Sequence, residues 1–140
     1  MRGLILAFLT SLFFLRVLGQ ALVAFLGVTW LPSMDQWFSG LIPYSILLAI
    51  QLVMLVFMIK ITADVWCETG FFAKRRRSWS RFLIGFSTIY AGAMMLRYVL
   101  TMIFRPEMRW LGDTIPIFFH FVLAGFIFVL GRYHANAAAQ

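Results

Sequence analysis

Apolar residues run along this chain in four long stretches, roughly 4–28, 41–60, 82–104 and 115–131, separated by short polar segments. Each stretch approaches the twenty or so residues that carry an α-helix across a hydrocarbon layer. The predicted fold is therefore an all-α integral membrane protein, a single domain over 1–140 whose four transmembrane helices form two helical hairpins. The breaks suit that assignment. Trp30, Pro32 and the polar run 33–40 end the first stretch, with Trp30 and Trp37 suited to the headgroup layer. Pro43 and Pro116 fall at the openings of the second and fourth, where a missing N–H costs nothing.

The first stretch superficially resembles a signal peptide. Arg16 interrupts it, no small-residue cleavage site precedes a polar domain, and its apolar character continues past Gln20, so it is read as a retained helix.

Composition agrees with that pattern. The chain is 63% hydrophobic and 12% charged, whereas a soluble domain carries about a quarter charged residues. A net charge of +7 would suggest nucleic acid as a partner in a soluble protein. Here most of the cations border the apolar stretches, and the expected partner is instead a bilayer with anionic lipids. Lys74, Arg75, Arg76, Arg77 and Arg81 lie in a segment, 61–81, read as a basic cytoplasmic loop resting on the membrane surface between Phe71, Phe72 and Trp79. Eight cations (Arg2, Lys60, Lys74, Arg75, Arg76, Arg77, Arg81, Arg132) fall on that side, against Arg105 and Arg109 on the other. Both termini are thus expected in the cytoplasm, in a bacterial inner membrane.

The two halves share landmarks that suggest a weak 2+2 parallel repeat: Arg16 with Arg97, Trp30-Leu31 with Trp110-Leu111, and Pro43 with Pro116. Such a repeat would relate the hairpins about an axis along the membrane normal. In layout, though not in motif, the two hairpins resemble small four-span proteins of the DoxX-like kind, and no function is carried over.

Arg16 and Arg97 are the cations inside spans, where a charge costs at least ~2.5 kcal/mol unless paired or hydrated. Both are expected to face the bundle interior. Gln20 shares a helix face with Arg16, Tyr90 shares one with Arg97, and Gln51 and His120 add polar atoms from the other two spans. These six residues form the candidate ligand site. Helix carbonyls, lipid phosphate, an anionic ligand, another subunit, or Asp35, Glu107 and Asp113 are the candidate counter-groups for the arginines.

Chemistry beyond binding has little support. Cys67 is the only cysteine and reads as a small apolar filler, no metal motif is present, and no nucleophile has an accompanying base. No cofactor is expected. A haem would need more histidines than His120 and His134, which read as a packing residue and an interfacial one. The methionines read as gap-fillers. The leading expectation is a non-enzymatic protein acting by association, as an accessory or stabilising subunit of a membrane complex or by self-assembly. A small carrier or binding protein for an anionic or quinone-like ligand is the alternative, and a haem-binding redox subunit comes third.

Overall fold

The structure, a computed structural model, describes residues 1–37, 42–105 and 114–136. Five helices account for most of them: α1 (Arg2–Leu26), the four-residue α2 (Met34–Trp37), α3 (Tyr44–Cys67), α4 (Arg77–Phe104) and α5 (Thr114–Ala135). Four of these are long and apolar enough to cross a membrane. Helices α1, α3 and α4 contain no proline, and the one in α5, Pro116, sits in its first turn.

Helix ends follow local chemistry. Gly27, at φ 59°, stops α1 in the left-handed conformation that lacks a steric penalty only without a Cβ. Pro43 sets the chain at φ −56°, ψ 140° ahead of α3, one residue before the first turn, whereas the sequence pattern places it inside. Its carbonyl accepts the N–H groups of Ile46 and Leu47.

The helices lie side by side in the order α3, α1, α5, α4. Burial follows the order: 39% of the most apolar window is buried in both α1 and α5, 17% in α3 and 6% in α4. The core joins Leu6, Phe13 and Val17 of α1 to Leu55, Met58 and Val65 of α3 and Phe126, Leu130 and Tyr133 of α5. Helix α4 adds none of these and buries Ser80 and Ser87 instead. It approaches α5 closely at Gly131, where an added Cβ would lie 2.8 Å from Ile84 Cγ1 and 3.1 Å from the Ile84 backbone nitrogen. The outer faces remain apolar, with Phe82, Ile89 and Phe104 of α4 each 70–75% exposed, a surface suited to hydrocarbon.

Several expectations shift. Helix α3 continues through Asp64 to Cys67, and α4 begins at Arg77, so the connecting turn is 68–76 rather than the whole of 61–81. The turn is folded back on the helices, which lets both lengthen. Cys67 is exposed, not packed, because it ends α3 on an outward face. Trp37 is buried rather than interfacial, and so is His134. The outer-side cation Arg109 and the landmark Trp110-Leu111, with Glu107 and Asp113, lie outside the described residues.

Each predicted hairpin packs as a pair, α1 on α3 and α4 on α5. A twofold repeat would map α1 onto α4 and α3 onto α5, so the contact of α1 with α5 should recur between α4 and α3. Among the described residues no such contact exists. Twofold packing therefore fails on one side, and the row of helices stays open between α3 and α4.

Candidate functional site

The open side leads to a cavity of about 430 Å³, lined from all five helices and the connection before α3. Arg16, Gln51, Tyr90, Arg97 and His120 are on its wall, so five of the six candidate site residues meet there. Gln20 is wholly buried behind it and bonded to Gln51. Counting along the helices at 1.5 Å per residue, these wall residues lie roughly 9–21 Å from the end opposite the chain termini.

Arg16 is 8% exposed, donates from Nη2 to the Trp37 carbonyl at 3.3 Å, and holds its guanidinium carbon 5.3 Å from the centre of the Phe119 ring. Its Nε is buried without a partner. Trp37 is fixed in turn by its indole N–H, which donates to the Pro32 carbonyl at 2.9 Å. It also sits against Gly19, where an added Cβ would approach the indole to 2.9 Å. The short helix α2 thus caps the cavity with a backbone carbonyl aimed at a buried cation.

Gln51 Nε2 donates to Gln20 Oε1 at 3.1 Å, tying α3 to α1, while Gln20 Nε2 and Gln51 Oε1 stay buried without partners. Across the cavity the Tyr90 hydroxyl and His120 Nδ1 are hydrogen-bonded, joining α4 to α5. The Arg97 carbonyl accepts from Thr101 Oγ1 at 2.9 Å. The rest of the wall is apolar, notably Phe13, Leu47, Ile50, Met54 and Leu123.

Among the described residues no carboxylate lines this cavity. Asp35 is exposed on α2, and Asp64 lies on α3 thirteen residues beyond Gln51, about 20 Å away. The arrangement can bind and neutralise an anion beside an apolar chain. No group of three or more His, Cys, Asp or Glu residues suited to a metal occurs among the described residues. His120 and His134 are at opposite ends of α5, about 21 Å apart, each with Nδ1 in a hydrogen bond.

Comparison with protein-family models, curated proteins and solved structures finds no match. Function must be read from the geometry.

At the other end, the basic segment is organised by contacts that spacing could not reveal. Arg75 lies over the Tyr133 ring at 5.0 Å, and Arg76 lies 4.6 Å from the Phe71 ring and 5.2 Å from Trp79. His134 Nδ1 accepts the Arg76 N–H at 3.2 Å, and the Tyr133 hydroxyl donates to the Ala73 carbonyl at 2.9 Å. With its amide turned to match the surrounding donors, Asn136 accepts from Arg2 at 2.7 and 3.1 Å. Lys74, Arg75, Arg77 and Arg81 remain exposed, whereas Arg76 is partly covered by aromatic rings. Four of the five cations predicted to meet anionic lipid thus face outward.

Proposed function

We propose that this chain is a membrane-embedded binding protein or small carrier for an amphipathic anion, held in the cavity between α3 and α4. The observation that carries this reading is the meeting of two arginines from different hairpins on one largely apolar wall with no carboxylate among the described lining. Arg16 is buried and Arg97 half-buried; a guanidinium held out of water without a counter-charge is costly, and one anion would relieve both. A quinone-like ligand, being neutral, would leave both charges uncompensated.

Replacing Arg16 or Arg97 by methionine keeps the bulk and removes the charge. Chloroform–methanol extraction of purified protein, followed by mass spectrometry, should detect an anionic amphipath with the native chain and a loss of at least tenfold with either variant. Equal recovery from all three proteins would overturn the reading.

The proposed orientation puts the turn 68–76 and both termini in the cytoplasm, as eight cations against two suggest. The cavity then belongs to the outer leaflet. A reporter active only in the cytoplasm should give signal when fused after Gln140 and none when inserted at Ser33. The opposite pattern would reverse the assignment.

Association with a second membrane chain is the second reading. It is favoured by the free face of α4, where Gly85 and Gly92, seven residues apart, have nothing within 4 Å of an added Cβ.

A further inference from the structure

We infer that the cavity takes the phosphomonoester head of a lipid monophosphate, which enters sideways from the bilayer through the gap between α3 and α4. This rests on the binding-protein reading and gives it a chemical class and a route.

The head follows from charge and geometry. Arg16 and Arg97 bring two positive charges, which a carboxylate would half neutralise; a phosphomonoester carries about −1.5 to −2 at neutral pH. Its three terminal oxygens also accept planar guanidinium forks from two directions, whereas a carboxylate offers two oxygens in one plane. The two forks come from helices that do not pack against each other, α1 and α4, so the recognised group must accept from more than one side. Arg16 Nε, nine-tenths buried with its side chain and without a partner, is a donor already placed for such an oxygen.

The tail follows from the rest of the wall. Leu47, Ile50, Met54 and Leu123 present apolar side chains without a hydrogen-bond donor, and a volume near 430 Å³ leaves room beyond the head for part of an acyl or isoprenoid chain. The route follows from packing. With no close backbone approach between α3 and α4, the cavity borders a gap along these helices, through which a head could pass while its tail stays in hydrocarbon. Inorganic phosphate offers the same head without the tail and would have to be held by the polar groups alone.

Calorimetric titration of the full chain in a neutral maltoside detergent separates these sources, with decyl phosphate, decanoate and inorganic phosphate as probes. Saturable binding of decyl phosphate is expected, at least tenfold tighter than decanoate and than inorganic phosphate. It should weaken at least thirtyfold in Arg97→Met and in Arg16→Met, and at least fivefold in Met54→Trp, which fills the tail region. An unchanged melting temperature in any one of these variants shows that the loss is not unfolding. Decanoate binding as tightly as decyl phosphate would overturn the phosphomonoester inference and leave the amphipathic-anion reading standing. Inorganic phosphate binding as tightly as decyl phosphate would overturn the lipid and the lateral route. Binding of none of the three would overturn the inference, and the lipid extraction described above would then decide the broader reading by itself.

Discussion

Replacing Asp64 by alanine is expected to lower the unfolding temperature clearly, because this one side chain closes the turn that joins α3 to α4. Asp64 is 5% exposed. Its carboxylate accepts the Phe72 N–H at 3.2 Å and pairs with Lys60 one helical turn earlier, and its backbone carbonyl accepts the N–H groups of Glu68 and Thr69. Alanine keeps the carbonyl contacts but leaves the Phe72 N–H without its acceptor. Lys60 is largely exposed, so removing it alone should cost no more than about 1 kcal/mol. Asp64→Asn, retaining one acceptor oxygen, should fall between the two.

Gly70→Ala tests the same junction from the other side. Gly70 has φ 97°, and a Cβ there would come within 2.6 Å of the Asp64 carboxylate, so this variant should be at least as unstable as Asp64→Ala. Thermal unfolding in neutral detergent, followed by loss of the monodisperse peak on size exclusion, measures the series. Asp64→Ala melting with the native protein would show that the turn does not depend on this carboxylate.

Gly131→Leu is expected to strip α4 from α5 and to empty the cavity of its α4 residues. Among the described residues helix α4 packs on no other long helix, so this seam holds it in place. The Ile84 backbone nitrogen, 3.1 Å from an added Cβ, cannot swing away as a side-chain tip could. Alanine should cost about 1–3 kcal/mol by overpacking, and leucine should exceed what the seam can absorb. Displacing α4 removes Tyr90 from His120 and withdraws Arg97, so decyl phosphate binding should fall at least as far as in Arg97→Met. In a Cys67→Ser background, cysteines at Ser87 and Ala124, which line one small groove between α4 and α5, report the separation through a short bismaleimide. Efficient cross-linking both with the native glycine and in the Gly131→Leu variant, with equal ligand binding, would refute the dependence on this glycine.

Helix number and the placing of Arg16, Gln51, Tyr90, Arg97 and His120 are legible because each depends on spacing within one helix. Twenty apolar residues specify a span, and a charge within it has to turn away from hydrocarbon. Pairings across the chain are not legible. Trp37 has the composition of a headgroup-layer residue, and only the fold shows that its carbonyl receives Arg16 twenty-one residues away in sequence. His134 reads as interfacial because it follows the last apolar run. It is buried because the Arg76 N–H, fifty-eight residues earlier, needs an acceptor there. Asp64 looks like a residue leaving the bilayer, and nothing in its spacing announces that the following turn folds back onto its carboxylate.

The missing contact between α3 and α4 has a mechanical meaning. Helices α1 and α5 form a spine with α3 and α4 hung on it as two leaves, each packed along one edge. The leaves are tethered together at one end by the turn 68–76, which Tyr133 and His134 pin to the spine. Across the rest of their length no close backbone contact joins them, so the gap widens only by moving α3 against its seam with α1 or α4 against its seam with α5. In a bilayer the load on those leaves is the lateral pressure of the surrounding acyl chains, which presses the gap closed. Thickness, chain order and tension of the membrane therefore enter the free energy of opening, so the same cavity would accept its occupant more readily in a thin, loosely ordered bilayer than in a stiff one.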